Sequence, residues 1–153
     1  MVDAFLLPLH SVMRWLVLLS LLYAIFLALR GKVKQLAFTK NVNHVRHWTA
    51  TIAHVQLLIG IILYPQSATV AQFFQNGERG WSEYAFFATV HITMMLAAIV
   101  IITIGSAKAK RKATDAEKYQ TMLTFFTLGL ILLLIAIPWP FSPLADRPYL
   151  RPF

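Results

Sequence analysis

The sequence predicts an all-α integral membrane protein, a single-domain four-helix up-down bundle with both termini on the outer, periplasmic side. Three observations predict it: 58% hydrophobic against 13% charged residues in a chain of 153, four apolar runs of near-membrane length, and basic residues gathered into two alternate loops. Mean hydropathy is +0.63, above what a soluble domain of this size carries. No long polar linker divides the chain, so 1–153 reads as one domain.

The runs cover about 4–29, 48–64, 84–104 and 119–137. Each approaches the roughly 20 residues that carry a helix across a hydrocarbon layer of about 30 Å. A helix satisfies every backbone polar group within its own segment, which is what such a layer demands. The first run has no basic segment before it and is too long for a cleaved signal, so it reads as a retained helix. Trp48 opens the second run and Tyr64 ends it. Tyr84 opens the third and Tyr119 the fourth; Trp48, Trp81, Tyr84, Tyr119 and Trp139 mark headgroup level. Pro138-Trp139-Pro140 stops the fourth helix. Between Ser67 and Glu83, Ala-Thr-Val-Ala-Gln-Phe-Phe-Gln followed by Asn-Gly predicts a short helix on the outer surface. The tail 141–153 reads as irregular.

Charge sets the orientation. Ten of the 14 Lys and Arg fall in two loops: Arg30, Lys32, Lys34, Lys40 and Arg46, then Lys108, Lys110, Arg111, Lys112 and Lys118. The opposite side holds Arg79, Arg147 and Arg151, and Arg14 lies within the first run. The basic loops belong on the cytoplasmic side. Anionic lipid headgroups account for the net charge of +8 without a nucleic-acid partner.

Polar residues inside a bilayer are costly, which makes the few present the candidates for chemistry. The first run carries His10 and Arg14, the second His54 and Gln56, and the third His91, while His44 and His47 stand at the approach to the second. Helical rise puts His91 about 10 Å and His54 about 15 Å below the outer edge, with His10 shallower. Three imidazoles on three helices at related depths suit the axial ligation of a b-type haem. His91 supplies one ligand. The other is His54 on the adjacent helix, favoured by depth, or His10 on the diagonal helix, favoured by the span of a porphyrin. Cysteine is absent, which excludes thiolate iron–sulfur ligation and the covalent attachment of a c-type haem.

Arg14 follows His10 by four residues and shares its face. With no intramembrane Asp or Glu to meet it, a haem propionate is the expected counter-anion. Ser11 and Gln56 add hydrogen bonds. His47, with His44, marks a lesser second haem site. A third histidine left off the iron would exchange protons near a quinone. Two rival readings stand beside this one: a copper or zinc transport or sensing site at His10, His54 and His91, and a non-catalytic helical subunit whose polar residues serve helix contacts. Met94-Met95 and the phenylalanines read as packing, Gly60 and Gly105 as close helix contacts.

Leu9-His10-Ser11 with Arg14-Trp15, His54-x-Gln56-Leu57-Leu58-x-Gly60 leading to Leu63-Tyr64, His91, and Pro138-Trp139-Pro140-Phe141 together resemble small bacterial membrane proteins catalogued as cytochrome b. More distantly the chain is similar to cytochrome b561-type four-helix proteins, which bind two haems and exchange electrons with quinols. It departs from the latter in having no histidine on its fourth run. The resemblance implies a haem-b electron carrier or quinone-linked oxidoreductase of the bacterial inner membrane, passing electrons between the quinone pool and a partner at the outer face, either alone, as a homo-oligomer or within a membrane complex.

Overall fold

Capping chemistry, more than the ends of the apolar runs, sets where the helices begin. In the computed structural model, which describes residues 2–77, 80–143, 145 and 147–151, five helices form: α1 Val2–Val33, α2 Lys40–Leu63, α3 Ala68–Asn76, α4 Glu83–Arg111 and α5 Asp115–Ala136. Arg79, counted above on the outer side, lies outside the described residues. α2 starts about two turns before Trp48 because Thr39 accepts the Val42 N–H and caps it there. Thr114 and Glu117 form a reciprocal capping box that starts α5 ahead of Tyr119. The predicted surface helix is α3, capped by Ser67 at its start and ended by Gly77 in the left-handed region at φ 61°.

α4 is composite. An α-helical turn at Glu83–Ala85 leads into a π-helical stretch, Phe86–His91, before regular α-helix resumes over Ile92–Arg111. Such widened turns are rare and recur at functional sites.

Four of the helices are long and apolar enough to cross a membrane. They pack as a square: α1 lies against α2 and α5, and α4 lies against the same two, so α1 and α4 face each other across the diagonal. Small residues bring the helices close. Ala24, Ala28, Ala53, Ala98 and Ala109 are fully buried. A Cβ at Gly105 would collide with Phe125, and one at Gly129 would stand 2.5 Å from Ile102, so α4 and α5 meet nearly backbone to backbone. Leu19, Phe26, Leu58, Val100 and Ile135 point outward from the bundle, an apolar exterior that suits lipid contact.

The loop 34–39 and the loop 112–114 lie at one end, the basic end. At the other, the terminal end, the start of α1 meets the tail. The described part of the tail is irregular as expected, yet it is tied down. Trp15 Nε1–H donates to the Tyr149 carbonyl at 2.9 Å, and the Arg151 N–H donates to Ser11 Oγ at 3.2 Å. Trp15, Trp139 and Tyr149 pack their rings together above α1.

One residue leaves the place the sequence suggested. Arg46, counted with the basic loop, is buried between α2 and α4, only 4% exposed. Its guanidinium donates to Asn43 Oδ1 at 2.9 and 3.0 Å, to the Ser106 carbonyl at 2.8 Å, and to the Ser106 hydroxyl. Neutral acceptors on two helices meet its donors, so the charge is tolerated inside.

Candidate functional site

Between the diagonal helices, toward the terminal end, lies a cavity of about 440 Å³. That volume falls within the range of small-molecule and cofactor sites. Its walls are apolar, with Val17, Leu18, Leu57, Met95, Ile99 and Leu133 among them. Its polar lining includes His10, Ser11 and Arg14 from α1, Gln56 from α2 and His91 from α4, Arg147 and Arg151 from the tail, and the polar side chains of Tyr64, Gln66, Ser67 and Thr69. Five of the residues singled out by sequence therefore meet in one place.

His91 is held there by a chain of backbone causes. An α-helical carbonyl normally accepts the N–H four residues on, and proline has none. Pro138 thus leaves the Leu134 carbonyl open, and Trp139 Nε1–H fills it at 2.8 Å. The helix ends there, with Ile137 extended, which leaves the Ala136 carbonyl open as well, and His91 Nδ1 meets it at 2.9 Å. A carbonyl only accepts, so Nδ1 carries the proton and the Nε2 lone pair is left for another partner. Metal-bound histidines are commonly held in this way through the nitrogen that does not ligate. Phe86 and Phe87 flank the ring, with centroids 5.9 and 5.7 Å away.

The π-helical stretch brings His91 to this position. Within it, the Ala88 carbonyl accepts the Tyr64 hydroxyl at 2.7 Å, and at its start the Ala85 carbonyl accepts the Thr89 hydroxyl at 2.6 Å. Side-chain donors thus serve one carbonyl inside the widened turn and one at its start. Sequence reading took Tyr64 as the end of the second run and gave its hydroxyl no role, because its partner lies on another helix.

His10 faces the same cavity from the opposite helix. Its backbone carbonyl accepts Gln56 Nε2–H at 2.9 Å. Its ring packs over Gly60, where an added Cβ would stand 3.3 Å from the imidazole Cε1. Gly60 is a close helix contact as expected, and the group it admits is the imidazole.

Buried polar groups are normally hydrogen-bonded, and exceptions call for a reason. Among the described residues, three buried side-chain atoms have no partner: His10 Nδ1, Arg14 Nε and Gln56 Oε1. All three belong to residues lining this one cavity.

His54 stands apart. Thr103 donates its hydroxyl to the Ile99 carbonyl at 2.7 Å, so at 2.9 Å it accepts from His54 Nε2–H and links α2 to α4. Thr103 lies twelve residues beyond His91 on α4, about 18 Å along the axis. His44 and His47 are exposed at the basic end, His47 edge-on to Trp48 with centroids 6.0 Å apart. Among the described residues, no three His, Asp or Glu side chains gather into a group able to hold a metal ion.

Arg14 has partners that sequence reasoning missed. Its Nη2 donates to the Tyr149 carbonyl at 2.5 Å and reaches the Pro148 carbonyl at 3.4 Å, while its guanidinium lies over Trp15 and Trp139 at 5.6 and 5.9 Å. Arg147 pairs with Glu83 and lies 5.0 Å over Phe87. Burial, and then the charge of Arg151, push the Arg147 guanidinium below its ordinary pKa. The tail arginines were legible only as charges on one side of the membrane, since nothing in their local sequence points back toward α1. No family model matches this chain, and no curated protein or solved structure matches it.

Proposed function

We propose that this protein is a membrane b-type cytochrome, in which His91 and His10 hold one haem across the diagonal of the bundle. The observation that carries the reading is the convergence of two imidazoles and the three unpartnered buried polar atoms of the described residues on a single apolar-walled cavity. The residues fit the group. His91 presents Nε2, because Ala136 fixes its tautomer and ring plane. His10 supplies the opposing imidazole. Gln56 and Ser11 support α1 through its backbone and the tail. When bound, the haem supplies a one-electron redox couple.

The chain does the rest of the work. Its apolar walls exclude water and lower the local dielectric, which sets the potential at which the iron changes charge. Arg14 contributes a permanent positive charge that favours a propionate nearby. The positive-inside rule places the basic end in the cytoplasm of a bacterial inner membrane and the cavity toward the outer face. Electrons then pass between a membrane quinol and a partner at that face. His54, tied to Thr103, is the histidine left off the iron.

The test is an absorption spectrum of the detergent-purified chain, oxidised and dithionite-reduced, with a pyridine haemochrome assay. Haem b bands are expected. His91→Ala and His10→Ala should each lose about tenfold or more of the bound haem, at least the scale on which even supporting residues affect metal sites, while His54→Ala keeps the spectrum. Absence of haem, or unchanged spectra in both cavity variants, overturns the reading.

A further inference from the structure

The terminal end of the cavity carries more positive charge than its apolar walls call for. Arg14, Arg147 and Arg151 all line it. Arg147 already has Glu83. Arg14 meets only neutral carbonyls from the tail, and its Nε is buried without a partner. Arg151 is delivered by its own backbone, whose N–H is bonded to Ser11, one turn from Arg14 on α1. No carboxylate among the described residues pairs with Arg14 or Arg151. Two guanidiniums beside a cavity of low dielectric repel one another with little screening, and backbone carbonyls offset only part of that cost. Planar carboxylates match guanidinium donors bidentately, better than other common anions except phosphate.

We infer that Arg14 and Arg151 form a two-armed clamp for a ligand that carries two carboxylates on an apolar body, and that the C-terminal tail is thereby part of the binding site. The inference rests on the haem reading, under which the two carboxylates are the propionates. It adds Arg151 to the site, turns the propionate edge toward the terminal end, and gives the tail a purpose beyond covering α1.

Esterification provides the test, because the dimethyl ester of haem b keeps the iron and the ring but has neither negative charge. The full-length apoprotein in detergent is titrated with haem b and with its dimethyl ester, followed at the Soret band. The wild type should bind the diacid about tenfold or more tightly than the diester, the scale of two charge-assisted hydrogen-bonding partners. Arg151→Gln should lose most of that preference, and Arg151→Lys should recover part of it. Arg151→Gln keeps the backbone N–H that reaches Ser11, so the tail stays in place, and its helical circular dichroism should match the wild type. His91→Ala should weaken both ligands alike, because it removes a bond to iron. Equal binding of diacid and diester by the wild type, or an undiminished preference in Arg14→Gln/Arg151→Gln, overturns the clamp while leaving the haem reading intact. Failure of the wild type to bind either porphyrin overturns both.

Discussion

Glycine at position 60 leaves room on α2 for an imidazole from α1, and the fit is close enough to test. A Cβ there would already stand 3.3 Å from His10 Cε1, and the two further methyl groups of valine would crowd the ring and the cavity it faces. Overpacking of this kind costs about 1–3 kcal/mol. Gly60→Val should therefore displace His10 and reduce bound haem about tenfold, read from the reduced spectrum, while the thermal unfolding midpoint moves by only a few degrees. An unchanged spectrum would show that His10 is not held against α2. At this scale sequence reading succeeds where a polar side chain interrupts an apolar run: His10, Arg14, Gln56 and His91 stand out for that reason and do converge. It misleads where a residue near a loop turns inward. Arg46 sits among basic neighbours in the sequence, and only the packing of Ser106 beside it reveals that it is interior.

The helices themselves were legible from hydropathy alone, since length and apolarity leave a chain few other options in lipid. Their starts were less so, because Thr39 and Thr114 lie in polar loops and extend α2 and α5 past their apolar runs. The π-helical stretch was not legible at all. Phe-Phe-Ala-Thr-Val-His has no local feature that demands a widened turn, and the Tyr64 hydroxyl that serves its Ala88 carbonyl comes from α2. Removing that hydroxyl leaves a buried acceptor unmet, at a cost of about 1–3 kcal/mol. Tyr64→Phe should then raise amide hydrogen exchange across residues 88–92 about tenfold or more, as the stretch opens or returns to α-helical register. Exchange rates equal to wild type would mean that the widened turn is held by something else. The prediction concerns the backbone and holds whatever occupies the cavity.

At the scale of the whole molecule, the proposed orientation puts the basic end in the cytoplasm. The chain contains no cysteine, so single cysteines can be placed without background. Gly80→Cys at the terminal end should react with a membrane-impermeant thiol reagent in intact cells, whereas Lys112→Cys at the basic end should react only after the membrane is permeabilised. The reverse pattern would place the cavity on the cytoplasmic side and remove the outer-face partner from the proposal. The square arrangement of helices could be expected from an even number of short-looped spans. That His10 would lie on the helix diagonal to His91 was likewise expected from an up-down bundle, and the packing agrees: α1 and α4 face each other across the diagonal.

The fastening of the tail to α1 also has a consequence in time. Ser11 is bonded to a residue 140 positions further along the chain, and Trp15 to one 134 positions away. Contacts so distant in sequence form late, after the intervening helices have been threaded and docked. Until then the arginine-lined rim is unfinished and the hollow stays open toward the face where the tail will settle. Under the proposed haem reading, a porphyrin enters from that side while the strap is undocked, so loading of the cavity and docking of the tail are linked.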